Sequence, residues 1–229
     1  MADRYPHGQA ATAAYDTARQ GQALATNRLI RNTYWLLSLT LAFSAATAGF
    51  AMVSGAPMLS IWVVLGGFFG LLFLTTQLRN SAWGLVSVFA LTGFMGYTLG
   101  PVLNFYLTAL SNGPQVVMTA MGGTAAIFLS LSAYVLTSRR DFSFMRGFLF
   151  TGIIVAFLAA LAAYFFAMPA LSLAVSVMFM LLMSGLILYQ TSEMVHGGET
   201  NYIMATITLY VAIYNLFTSL LHLLGVMNE

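Results

Sequence analysis

Few side chains in this sequence could do chemistry, and their spacing excludes most of the reactions considered. There is no cysteine, which removes disulfides, thiolate nucleophiles and thiolate metal sites. An intramembrane aspartyl protease needs two Asp within apolar helices. Asp3, Asp16 and Asp141 all fall outside the apolar runs, so that class is excluded. A rhomboid-type serine protease needs Gly-x-Ser-Gly and a His at matching depth. Ser184-Gly185 follows Leu182-Met183, so the first Gly is missing. His222 should lie about 13 residues beyond the level of Ser184 on the last helix, roughly 20 Å along its axis. That pair cannot meet. Glu193 and His196 are three apart and could share one face of a helix end, with Glu199 the other acid nearby. A metal site needs more ligands than these, so no metal or other cofactor is expected. A solvated turn at the membrane surface is the preferred reading, in which His196 could still titrate near neutral pH. Asn215 and His222 lie seven apart on one face of the last helix, where hydrogen bonding between helices is the expectation. There is no Walker motif, HExxH or nucleophile elbow, and no enzyme is expected.

These residues sit in an apolar chain. Of 229 residues 60% are hydrophobic and 6% charged, against roughly 25% charged in soluble domains. A soluble fold of this composition could not cover its surface, so the solvent expected is the lipid bilayer. The net charge of +2, from eight Arg and six acids, is too small and too scattered for a nucleic-acid partner.

Seven apolar runs are predicted to span, at 33–53, 57–76, 82–105, 115–137, 144–166, 169–191 and 201–226. Each is near the ~20 residues a spanning helix requires. The connections are short, so residues 32–229 should form one seven-helix transmembrane domain. Residues 1–31 are polar and are expected to be a disordered cytoplasmic tail, with a marginal helix over 10–25 as the lesser expectation. Ala46-Thr47-Ala48 has the form of a signal-peptide cleavage site, but the apolar run continues past it to Val53 and the polar region before it is long. Cleavage is therefore not expected.

With the N-terminus inside, all eight arginines are cytoplasmic: Arg4, Arg19, Arg28 and Arg31 before the first run, Arg79 in the second connection, and Arg139, Arg140 and Arg146 in or beside the fourth. Seven spans then put the C-terminus in the periplasm. Gly66 and Gly70 have small-xxx-small spacing, and Gly93, Gly96 and Gly100, and Gly122 and Gly123, add close helix approaches. Gly100-Pro101 is expected to kink or end the third helix.

The stretch around Gly197-Gly198 joins the last two runs. Gly197-Gly198 should stop one helix, and Glu199, Thr200 and Asn201 should start the next. The candidate functional positions are His196, Gly197, Gly198, Glu199 and Asn201 in this turn, with Asn215 in the last helix. The words HGGETNYI and YNLF in this stretch, Arg31-Asn32-Thr33-Tyr34 with LLSLTLAFSA, Thr92-Gly93-Phe94 through Gly100-Pro101, and Thr137-Ser138-Arg139-Arg140-Asp141 resemble the Bax-inhibitor family, in its bacterial YccA-type branch. The resemblance covers nearly the whole membrane part. It implies an all-α membrane protein of seven helices, six around a central seventh, in the bacterial inner membrane. It also implies one of two functions. The preferred one is substrate and modulator of the FtsH-type AAA membrane protease, gripped by the N-terminal tail, in membrane-protein quality control. The alternative is a pH-sensitive leak for calcium or another cation, sensed in the family by two Asp. The matching positions in this chain are Gln190 and Ala212, which cannot ionise, so the sensor does not carry over.

Overall fold

The structure is a computed structural model describing residues 7–228, with side chains described at Gly21 and from Ala23 onward. Among these residues there are seven long α-helices: α1 His7–Val53, α2 Ile61–Leu78, α3 Trp83–Ala109, α4 Gly113–Ser138, α5 Arg146–Phe165, α6 Pro169–His196 and α7 Tyr202–Val226. A 3₁₀ turn, Ser143–Met145, leads into α5. All seven are long and apolar enough to cross a membrane; in α1 only Ala23–Val53 has that character. The expectation of a disordered tail at 1–31 falls partly on residues 1–6, outside the described residues. From His7 onward the backbone continues α1, so 10–25 is helical.

Elements end where the chain chemistry changes. Pro stands at the start of α4 and α6, where its missing N–H costs no helix bond. Gly197, at φ 82°, takes the left-handed conformation that ends α6. Gly100-Pro101 does not end α3, which continues to Ala109.

Helix approach is set by specific glycines. Gly93, Gly96 and Gly100 line the face of α3 that meets α1. A Cβ at Gly96 would meet the Ser44 carbonyl, and one at Gly100 would meet Ala51 and the Ala48 carbonyl. The backbones can lie side by side only because those Cβ atoms are missing, and α1 and α3 form the most extensive helix pair. In α2 the expectation needs correction. Gly66 and Gly70 face open space, and it is Gly67 whose missing Cβ admits the Phe94 ring. Gly122 is also open, while Gly123 makes ordinary contact with Leu220.

Helix α7 packs against α1, α3, α4 and α6. Helix α2 packs chiefly on α3, and α5 on α6, so these two form an outer layer. Four helices thus contact α7 directly, while α2 and α5 make their main contacts with α3 and α6. Burial is heaviest on α7, where Leu209, Tyr210, Ala212 and Leu216 are at most 1% exposed; α5 buries Leu149, Ala156 and Ala163, and α2 buries only Thr75. Trp62, Phe73, Phe148 and Phe150 stay exposed on the outer layer, as expected where the surroundings are acyl chains.

A polar seam ties the inner helices together. Tyr210 of α7 donates its hydroxyl proton to the Thr92 carbonyl of α3 at 3.2 Å. With that proton committed, Ser44 of α1 donates to the Tyr210 oxygen at 2.7 Å. Thr206 of α7 reaches the Thr33 carbonyl of α1 at 3.3 Å while also bonding back to Tyr202. In a core that excludes water, such groups need partners inside the protein.

Candidate functional site

The turn between α6 and α7 gathers three connections at one end of the bundle. Glu199 organises the turn: its Oε1 accepts from the backbone N–H groups of Thr200 and Asn201 at 2.8 and 2.7 Å. Its own N–H reaches back to the Glu193 carbonyl at 3.1 Å. Gly198 leaves the space that the Glu193 carboxylate occupies; a Cβ there would collide with it.

Asn201 makes two attachments at once. Its Oδ1 caps α7 by accepting from Ile203 and Met204 at 3.0 and 3.2 Å. Its Nδ2 donates to the Arg79 carbonyl at 3.0 Å and to Asn80 Oδ1 at 2.9 Å. The start of the inner helix is thereby fixed to the α2–α3 connection.

His196 does the same for the α4–α5 connection. Its Nδ1 lies 2.9 Å from the Ser192 carbonyl and its Nε2 lies 3.1 Å from the Arg139 carbonyl. Both partners are acceptors, and a neutral imidazole carries one N–H. With that N–H on Nε2 directed at the Arg139 carbonyl, Nδ1 can accept from the Ser192 hydroxyl at 3.3 Å. Ser192, one turn earlier and fully buried, accepts from the Phe142 N–H at 2.9 Å and reaches the Arg140 carbonyl at 3.3 Å. Arg139 is held at φ 49°, a left-handed conformation uncommon for a residue with a side chain. Its N–H closes α4 on Val135 at 2.8 Å. Asp141 Oδ1 accepts from the Ser143 N–H at 2.8 Å. Those bonds from Ser143 hold the Asp141 carboxyl below its ordinary range.

His196, Gly197, Gly198, Glu199 and Asn201 thus belong to one junction, with its hydrogen bonds directed at the 79–80 and 139–142 segments. His196 is exposed as an interfacial turn residue should be, yet both of its ring nitrogens are engaged. Ser192 and Arg139 were not legible as members. Ser192 lies one helical turn before His196, the only signal that could have marked it. Among the described residues no group of three or more His, Asp and Glu side chains converges as metal ligands would.

Asn215 and His222 lie nearer the opposite end of α7 and do not join the junction. Asn215 donates to Val211 within its own helix at 2.8 Å, which corrects the expectation of a bond between helices. Its other face lines a cavity of about 380 Å³ with Ser172, Ser176 and Ser219. His222 does bond across helices, its Nδ1 lying 2.8 Å from Ser176 Oγ. Ser176 Oγ donates to the Ser172 carbonyl at 3.0 Å, so in that arrangement His222 is the donor and the pair is a tie between α6 and α7. Ser184 bonds back to Met180 at 2.8 Å, away from His222. Gln190 and Ala212 are both buried and carry no ionisable group.

The family described as inhibitor of apoptosis-promoting Bax1 matches residues 26–229. An uncharacterized protein of Pseudomonas aeruginosa is 58% identical over 198 residues, 86% of this chain and 89% of that one. Escherichia coli K12 has a relative named modulator of FtsH protease YccA, 52% identical over 202 residues, 88% of this chain and 91% of the relative. An uncharacterized membrane protein of Vibrio cholerae is 48% identical over 214 residues, 93% of this chain and 96% of its own length. The family match takes in the membrane-spanning part of α1 from residue 26, all of α2–α7 and the junction between α6 and α7, and on that extent the chain belongs to the Bax-inhibitor family.

Proposed function

We propose that this chain is a multi-pass protein of the bacterial inner membrane that modulates an FtsH-type membrane protease and is itself taken up as a substrate by its N-terminal segment. The observation that carries this reading is the 52% identity, over 88% of the chain, to a protein named as a modulator of that protease. The role is non-enzymatic. The junction side chains are committed to the backbone of neighbouring connections, an arrangement suited to a rigid membrane body and not to a reacting centre.

Orientation follows from the arginines. Arg28, Arg31, Arg79, Arg139, Arg140 and Arg146 lie towards the end of the bundle where the junction forms, and the positive-inside rule makes that end cytoplasmic. A protease working from the cytoplasm meets the residues before 26 there, outside the part shared with the family. A cation leak is not the favoured alternative: Gln190 and Ala212, which stand in the two sensor frames, offer no carboxylate to a cation.

The test is turnover in cells with and without the protease. Deleting residues 2–27 keeps Arg28 and Arg31, so insertion should be preserved, and the protein's lifetime should lengthen only where the protease is present. The full chain, overproduced, should also slow degradation of a second membrane substrate. A truncated protein that inserts normally and is degraded as fast as the full chain would remove the handle. An unchanged lifetime of the second substrate would remove the modulator role.

A further inference from the structure

The α4–α5 connection borders a second feature that the junction does not explain. A cavity of about 500 Å³ lies between α4, the connection and α6. It is lined by Leu131, Tyr134, Phe142, Phe144 and Leu188, together with Arg140 and Asp141. Three aromatic rings run in series along it: Tyr134 to Phe142 at 6.3 Å between centroids, and Phe142 to Phe144 at 6.3 Å. Phe144 is 78% exposed, and Phe148, one turn further along α5, is 69% exposed. Helix α4 ends at Ser138 and α5 begins at Arg146, so the cavity sits where spanning helices end and headgroups begin.

The charge around it is one-sided. Arg139, Arg140 and Arg146 face one acid in this stretch, Asp141, which leaves two positive charges over. Asp141 is occupied with the Ser143 N–H. From α6, Glu193 lies against Gly198, and Glu199 accepts from Thr200 and Asn201, so both carboxylates turn toward the 198–201 turn. His196 of α6 holds the same connection at the Arg139 carbonyl. The backbone that presents the arginines is fixed in advance: α6 holds it through Ser192 at Arg140 and Phe142, and Arg139 is in the left-handed conformation.

We propose that this cavity binds the phosphate headgroup of an anionic phospholipid. The Arg140 guanidinium takes the phosphate, since its planar fork matches phosphate oxygens. Arg139 and Arg146 supply the surrounding positive field, as basic sites beside membrane helices do for acidic lipids. The rings of Tyr134, Phe142 and Phe144 cover the first part of an acyl chain. A free anion would leave this aromatic wall without a partner, which favours the lipid over soluble phosphate. The site is independent of protease modulation, because it involves neither the N-terminal segment nor any partner protein.

The experiment uses the full chain purified in neutral detergent, with lipid binding read by native mass spectrometry and by thermal stabilisation. Phosphatidylglycerol should bind and stabilise, and phosphatidylcholine should do so much less. Arg140→Gln should weaken phosphatidylglycerol binding about fivefold, the contribution of one basic group at an anionic surface. Ser192→Ala leaves every charge in place but loosens the connection, and should weaken binding by a smaller factor. Arg79→Gln, at the other inside connection, should leave it unchanged. The proposal is overturned if Arg140→Gln binds as the unaltered chain does, or if Arg79→Gln loses as much. It is overturned equally if inorganic phosphate stabilises as well as the lipid at the same concentration, which would make the ligand a soluble anion.

Discussion

Replacing Asn201 with Ala removes four hydrogen bonds in a single side chain, and their separate roles can be told apart. Two of them cap α7, from Ile203 and Met204 at 3.0 and 3.2 Å. Loss of an Asn cap costs about 1 kcal/mol. The other two run from Nδ2 to the Arg79 carbonyl and Asn80 Oδ1, at 3.0 and 2.9 Å. These are exposed to solvent, so each should contribute about 0.5 kcal/mol, the low end for a net hydrogen bond. The expected loss for Asn201→Ala is therefore about 2 kcal/mol. Asn201→Asp keeps the capping oxygen and places a negative charge at a helix N-terminus, where it is favoured. It loses both donors, so it should fall between the unaltered chain and the alanine variant, near 1 kcal/mol of loss. The assay is reversible unfolding in mixed micelles, with denaturing detergent titrated against a neutral one and helicity followed by circular dichroism. If Asn201→Ala unfolds at the same point as the unaltered chain, the junction does not anchor α7. If Asn201→Asp loses as much as Asn201→Ala, the clamp to Arg79 and Asn80 carries the whole effect, and the equal division between clamp and cap is refuted.

Further outcomes follow from the same geometry. Gly96→Ala should destabilise by about 1–3 kcal/mol, the range for overpacking a close contact, while Gly66→Ala, facing open space, should be neutral in the same titration. Tyr210→Phe leaves the Ser44 hydroxyl and the Thr92 carbonyl without their partner and should cost about 1–2 kcal/mol, measured as the shift in unfolding midpoint. Because its folded carboxyl is held below the ordinary value of 3.8, Asp141 contributes fully above that value and loses its contribution as the pH falls through the lowered folded one. The stability difference between the unaltered chain and Asp141→Asn should therefore be constant from about pH 5 to 8 and shrink only below about pH 4. A reporter active only in the periplasm, fused after Glu229, should be active; activity of a cytoplasm-only reporter at that position would reverse the proposed orientation.

The sequence by itself determined the fold class. Seven apolar runs of spanning length and a charge content too low for a soluble surface leave helices in a bilayer as the way to satisfy the backbone. It also determined where α6 stops and α7 starts, because Gly197 and Asn201 act through their own local backbone, and local rules read locally. What it could not determine was which face meets which. Gly66 and Gly67 are neighbours in one apolar helix, and nothing in their spacing says that Phe94 will lie over the second. The partners of His196 and Ser192 stand about fifty residues away, on a connection whose approach depends on how α4 and α6 pack. Asn215 shows the converse: a polar residue deep in a helix is expected to reach another helix, yet Val211 one turn away offers an acceptor at no cost in chain ordering. The hydrophobic pattern of a bilayer helix is nearly uniform around its circumference, so it carries little information about rotation. Only the close approaches and paired polar groups of the tertiary structure fix that rotation.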